Sequence, residues 1–432
     1  MTDGKPSDGK VASSADYDVV IVGGSLAGCA AAIQLGRAGM DVALVEKQPD
    51  PSAFKRTCSH FIQASAVPTL ERLDLLEPIM AAGGLRTPMR AWTPWGWIEA
   101  PRERAGYAVN LRREVLDPLV RSVATETPGV EAVLGKTAQS LLHERGAVSG
   151  VVVRDPSGEE TALRSKLVIG ADGRDSGIAE MAGVTAKTLP HGRFAYGAYF
   201  EGPPAAGGEA SSIWMLDPHW AAAFPTDSGL IFYAAMPTKE RLPEFRHDPE
   251  AALVSFVAGL PEAPPIHESK RVGPVIGKIE MPSRARVPVA PGLALAGDAA
   301  LAVDPLYGVG CGWALQSAEW LSASVLPALR GTESMRRGLD RYREQHKQEL
   351  RGHAFLINDY SSGRRMRPME RAMFAAAARD PEVAVRFDAL GTRRAKPGRT
   401  MVSMMPRAVA VNARHALSRR RAQGGYGRLA NT

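Results

Sequence analysis

Cysteine is scarce in this chain. Cys29, Cys58 and Cys311 are three in 432 residues, with no CxxC pair and no Cys/His cluster at metal-ligand spacing. That pattern excludes a disulfide framework and a zinc site, and no metal is expected. Cys29 and Cys311 lie among small residues in glycine-rich segments and read as small buried thiols. Long apolar runs are missing as well. None approaches the roughly eighteen residues a membrane span requires, and residues 1–15 lack the apolar stretch of a signal peptide. The expected location is the cytoplasm. Acidic residues run short at one end: from Gly363 onward sixteen Lys or Arg face four Asp or Glu, so the tail carries about +12 of a net +7 and the rest is near −5. The basicity belongs to an appendage, and no nucleic-acid partner is expected. What remains, 45% hydrophobic and 23% charged, is an ordinary globular composition long enough for two or three domains.

Glycine is plentiful, and it is concentrated where it matters. In "DYDVVIVGGSLAGCAAAIQLGRAGMDVALVEK" a β-branched run meets a bend of Gly23, Gly24, Ser25, Leu26, Ala27 and Gly28. A helical stretch follows, then a second buried strand ending at Glu46 and Lys47. A strand, glycine turn, helix and strand of this length offer backbone N–H groups and a helix N-terminus to a pyrophosphate. The acid at the second strand's end accepts hydrogen bonds from ribose hydroxyls. Ser25 replaces the second glycine of G-x-G-x-x-G. The bend leaves FAD and NAD both open.

Two later motifs narrow the choice. "KLVIGADGRDSG" runs a strand into Asp172, and "LALAGDAALAVDPLYGVGCG" runs another into Asp298. In this order the chain resembles the FAD-dependent monooxygenases of the aromatic-hydroxylase fold, a superfamily shared with geranylgeranyl-type reductases and flavin-dependent halogenases. The resemblance covers residues 16–330. It implies an α/β protein: a Rossmann-like FAD-binding domain (16–84, 105–189 and 284–330), a hairpin at 85–104, an inserted antiparallel substrate sheet at 190–283, and a helical basic extension at 331–432. It also implies that Asp298 binds the ribityl chain of FAD and that Asp172 and Arg113 belong to the cofactor site. Gly308, Val309, Gly310, Cys311 and Gly312 would open a helix at the flavin, with Pro305 and Tyr307 against the ring. Ala179 stands where the family often has Arg, and Leu301 where aromatic hydroxylases have His. "VDPLYGVG" is closer to the reductase and halogenase branches, so the reaction is less constrained than the fold.

Between the two Asp motifs lie aromatic-rich, alternating segments that read as strands. Trp95, Trp97, Trp214, Trp220, Phe232 and Tyr233 are candidates for the wall of a dry pocket. Halogenases of this superfamily carry W-x-W-x-I-P and an essential lysine. Here the stretch is Trp220-Ala221-Ala222-Ala223-Phe224-Pro225, and neither Lys47 nor Lys55 sits in the lysine's context. In "FKRTCSHF" Arg56 is a candidate phosphate or substrate contact, and Cys58 and His60 are candidate proton donors. The leading expectation is a monooxygenase of secondary metabolism that takes NADPH or NADH and O2. It would work through a flavin C4a-hydroperoxide to hydroxylate or epoxidise a small aromatic or polyketide-like molecule. The alternatives are reduction of an isoprenoid double bond, then halogenation or ligand binding without turnover. The tail "RTMVSMMPRAVAVNARHALSRRR" mixes Met and Val with Arg. It is expected either as a plain surface helix or as a contact with an anionic membrane, the active site or an acidic carrier protein.

Overall fold

A computed structural model of the chain describes residues 13–57, 60–204 and 207–429. The β-branched run after Asp16 forms the strand Ser13–Val22, and the small residues behind it form the helix Leu26–Arg37. Cys29, Ala30, Ala31 and Ala32 on that helix are wholly buried, and their size lets it lie close against the strands. Ser13–Val22 sits between Glu160–Gly170 and Val42–Glu46, parallel to both. Val130–Leu134 extends the sheet on one side and Leu293–Leu295 on the other, again in parallel. The antiparallel pair Thr137–Glu144 and Ala147–Arg154 branches from Glu160–Gly170. Because the central strands are covered on both faces, they read as continuous apolar runs.

Among the described residues a second sheet has nine strands in the order Lys270–Lys278, Ala195–Glu201, Leu230–Met236, Trp220–Pro225, Ser211–Met215, Leu85–Thr93, Tyr107–Asn110 and Phe61–Ile62, with Gly96–Glu99 paired beside Leu85–Thr93. It is mostly antiparallel, and its central strands are buried on both faces. One face, through Trp214 and Tyr233, packs on the helices Leu242–Arg246 and Pro249–Ala258 at Phe245, Leu253 and Val257. The other carries Trp220, Phe224 and Phe232 and shares a core with Met366, Met373, Val383, Met404 and Val411 from the C-terminal region.

That region is more than an appendage. The helix Met335–Ser361 lies on Gly310–Leu329, and three further helices follow: Pro368–Ala377, Pro381–Gly391 and Pro397–Leu429. Each of the three opens on proline, whose missing N–H costs nothing in a first turn. Asp380 caps the second by accepting the Val383 N–H at 3.0 Å. No helix among the described residues is long and apolar enough to cross a membrane.

Candidate active site

The parallel strands deliver their C-terminal ends to one cleft. Gly23 turns there at φ +114°, and a Cβ on it would overlap the carbonyl of Ala171. A Cβ on Gly28 would overlap the carbonyl of Gly23, so the helix can approach the bend only without a side chain at that position. Ser25 does not cap the helix it precedes. Its hydroxyl instead accepts from Arg113 Nη2 at 3.0 Å. The first-turn N–H groups are left facing the cleft, where an anion would be favoured. Glu46 is held in place by two backbone donors, Gly24 N–H to Oε2 at 2.8 Å and Gln48 N–H to Oε1 at 2.9 Å. Arg121, which no sequence pattern marked, donates from Nε to the Gly24 carbonyl at 3.0 Å and from Nη1 to the Ala53 carbonyl at 2.9 Å.

The helix Arg113–Glu126 puts Arg113 and Asp117 one turn apart, as a buried ion pair at 2.6 Å. The free oxygen of Asp117 accepts the Lys55 N–H at 2.9 Å, and Arg113 Nη1 lies 3.6 Å from the sulfur of Cys311. Lys55 Nζ in turn reaches Asp298 Oδ2 at 3.0 Å. Burial alone would raise the Asp298 carboxyl, but the Lys55 ammonium, with Arg174 and Arg113 nearby, holds it below the usual carboxylate range. Val309, at the start of the helix Gly310–Leu329, supplies no side-chain cap, so this second helix N-terminus also faces the cleft uncapped. Asp172 lines the cleft, yet its carboxylate accepts from Ser176 Oγ at 2.6 Å and from Ile178 N–H at 3.0 Å.

The turn Pro305–Tyr307 forms the next wall, with Pro305 and Gly308 on the cavity. Four long-range contacts hold it and the two residues before it. His191 Nε2 stands 2.6 Å from Asp304 Oδ2, Arg174 Nη2 donates to the Val303 carbonyl at 3.0 Å, and Arg393 Nη2 donates to the Tyr307 carbonyl at 3.0 Å. Gln63 donates to the same Tyr307 carbonyl. Burial raises the Tyr307 phenol above its ordinary range, so it is no ready acid or base.

The cavity holds about 760 Å³ and runs from the glycine bend to the second sheet. Trp220 and Phe232 stand in its wall beside Phe224, Ala234, Met236 and Met281. Trp214 and Tyr233 do not, because alternation along their strands turns them to the opposite face. Trp97 packs edge-on against Trp214 at 5.5 Å with Arg90 over its ring, and Trp95 borders a separate groove beside Arg371. Of the polar candidates, Lys47 is exposed at the cavity margin, while exposed Arg56 is not in its wall. His60 is wholly buried behind that wall, stacked on Tyr199 at 5.7 Å with its Nδ1 3.2 Å from the tyrosine hydroxyl. Cys58 lies outside the described residues.

A family profile described as an FAD binding domain matches residues 16–352. The chain belongs to the FAD binding domain family. It is an FAD-dependent oxidoreductase, and its α/β fold is the one expected of that family. It is 29% identical over 328 residues to kynurenine 3-monooxygenase of Salinispora arenicola, which is 68% of each chain. To digeranylgeranylglycerophospholipid reductase of Methanocella arvoryzae it is 24% identical over 366 residues, 78% of this chain and 84% of that one. In fold it is similar to the flavin-dependent brominase Bmp2, with TM-score 0.74, 18% identity, and 94% and 100% of the two chains covered. It is also similar to p-nitrophenol 4-monooxygenase PnpA of Pseudomonas putida DLL-E4, with TM-score 0.72, 20% identity, and 88% and 98% covered. The cleft fits FAD on its own terms. It pairs a bend that excludes side chains with two uncapped helix N-termini, bridged by Arg113, on one cavity.

Proposed function

We propose that this oxidoreductase is a monooxygenase that takes electrons from NADPH or NADH and inserts one atom of O2 into a small aromatic or polyketide-like molecule. The observation that carries the reading is the continuity of the FAD cleft with an aromatic wall of Trp220, Phe224 and Phe232. Gly23, Gly24, Ser25, Ala27 and Gly28 would hold the pyrophosphate, Glu46 the adenosine ribose, and Asp298 the ribityl chain, with Arg113 and Asp172 at the bend. Bound FAD supplies the redox chemistry that activates oxygen. Pro305, Gly308, Val309, Gly310, Cys311 and Gly312 present backbone beside it, and the helix N-terminus at Gly310 favours negative charge there. The aromatic wall holds a ring in van der Waals contact and keeps water out, which matters because water in such a site diverts oxygen to hydrogen peroxide. Kynurenine 3-monooxygenase among the relatives supports this reading.

Stopped-flow absorbance decides between this and reduction of an isoprenoid double bond. The FAD-loaded protein, reduced without oxygen, is mixed with oxygenated buffer. A transient band distinct from both oxidised and reduced flavin, forming in proportion to oxygen, is the expected result. Direct monophasic recovery of the oxidised spectrum would overturn the proposal and favour the reductase.

A second contact is favoured by the outer face of the helix Pro397–Leu429. Its inner face is buried through Met404, Ala408 and Val411, while Val402, Val409 and Leu417 stand 74%, 62% and 56% exposed on the other side. Seven arginines and no acid occur along it. An apolar stripe among arginines suits an anionic bilayer surface. Flotation with phosphatidylglycerol vesicles, lost in V402E/V409E and absent with phosphatidylcholine alone, is the expected outcome. Equal recovery of wild type and variant would remove this contact.

A further inference from the structure

The C-terminal region touches the back of the cavity wall through Arg393, which holds the turn that carries Pro305 and Gly308. The helix Pro381–Gly391 ends in a turn that docks against three separate parts of the protein. The Ser65 N–H donates to the Thr392 carbonyl at 3.3 Å, the Gly106 N–H donates to buried Asp388 at 3.0 Å, and Arg393 points inward. Arg393 holds a left-handed backbone at φ +59°, uncommon for a residue with a long side chain. Its Nη2 donates to the carbonyl of Tyr307 at 3.0 Å and to that of Gly391 at 3.1 Å, and its Nε donates to Gln63 Oε1. Gln63 is 1% exposed and donates in turn to the Tyr307 carbonyl.

These partners are neutral. Among the described residues no carboxylate lies within ion-pair distance of Arg393, whereas its neighbour Arg394 pairs with Asp388. Burial pushes the Arg393 guanidinium down to about 9, which leaves it cationic at neutral pH. An uncompensated cation in a partly dry setting is costly to keep. Of the two carbonyls it holds, that of Tyr307 leads to the backbone of Pro305 and Gly308 in the cavity wall.

We propose that Arg393 is a positioning and electrostatic residue of the flavin site: it fixes the Pro305–Gly308 backbone and biases the bound flavin toward its reduced, negatively charged form. Two-electron reduction with uptake of one proton leaves one more negative charge on the flavin. A cation behind the wall, at low effective dielectric, favours that state over the oxidised one. A unit charge roughly 10 Å away at an effective dielectric near 20 alters such an equilibrium by about tenfold. For a two-electron couple that is ~30 mV.

The test is the midpoint potential of bound FAD, read against a reference dye, in wild type, R393M and R393K. R393M is expected to fall by about 30 mV, a tenfold loss of preference for the reduced flavin. R393K, which keeps the charge but loses the fork, is expected to stay within about 10 mV of wild type. If R393M fails to retain FAD, R393Q keeps donors toward the Tyr307 carbonyl without the charge and carries the same comparison. Equal shifts in the lysine and neutral variants, or none in either, would overturn the proposal even if both lose thermal stability. The potential is defined for any flavoenzyme, so the result stands whether the enzyme proves a monooxygenase or a reductase.

Discussion

His191 Nε2 and Asp304 Oδ2 lie 2.6 Å apart, with 1% and 0% of their side chains exposed. The Arg193 N–H points to the other ring nitrogen at 3.4 Å, which places the imidazole proton on the Asp304 side. This pair ties the entrance of the second sheet to the turn that faces the cofactor. Replacing His191 with Phe removes a donor from a buried carboxylate. The expected cost is about 2–4 kcal/mol of stability, with FAD affinity falling at least fivefold. Urea denaturation and a fluorescence titration with FAD measure the two effects. Unchanged values in both would show that the turn holds without the pair.

Gly28 offers a sharper test of the bend. An alanine there would drive its methyl into the carbonyl of Gly23, whose own N–H is tied to the Val45 carbonyl at 2.8 Å. G28A is expected to lose FAD in purification and to unfold earlier, with the overpacking costing about 1–3 kcal/mol. The apoprotein's near-ultraviolet spectrum and its FAD occupancy check this. A variant that copurifies with full FAD would mean the helix can shift.

The parts legible in the sequence were those written in consecutive residues. Gly23 to Glu46 is one local unit whose pattern stands in the sequence itself, whereas Arg113, with Asp117 one helical turn on, was reached through the family resemblance. The contacts His191 to Asp304 and Arg393 to Tyr307 span 113 and 86 residues and rest on lone side chains without a motif. Their one sequence hint is that each partner turn carries glycine, in Gly192 and Gly308. The aromatic candidates divided for a different reason. The strands holding Trp214, Trp220, Phe232 and Tyr233 are apolar on both faces, so alternation separated them into two sets without saying which set faced the cofactor. The tail's methionines were visible among its arginines, but nothing local said that they pack under the sheet.

Ala234 shares a strand face with Phe232 and Met236, and all three line the cavity. A larger side chain there would occupy substrate space without touching the glycine bend. A234F is expected to keep FAD affinity within about twofold, while kcat/KM for a bicyclic aromatic falls at least tenfold relative to a monocyclic one. Steady-state rates on a matched pair of phenols and naphthols provide the comparison. An equal loss on both would place the ring elsewhere in the cavity.

Acid should loosen the C-terminal region before it reaches the carboxylates. His346 is 6% exposed beneath the helix Met335–Ser361, edge-on to Tyr342 at 5.7 Å, and burial pushes its imidazole down to about 4. His353, on the same helix, is lowered to about 3 by burial and by Arg393. In the unfolded chain both would titrate near 6.5. Between that value and the folded ones the unfolded state binds more protons, so stability declines as pH falls through this window and flattens below it. His346 alone accounts for about 3 kcal/mol across the interval. Asp298, held low by Lys55, adds its own loss only at pH values below about 4. Urea midpoints at pH 7.5 and 4.5 are therefore expected to differ strongly in wild type and by clearly less in H346F. An identical pH slope in that variant would show that His346 is solvated enough to protonate in the folded protein.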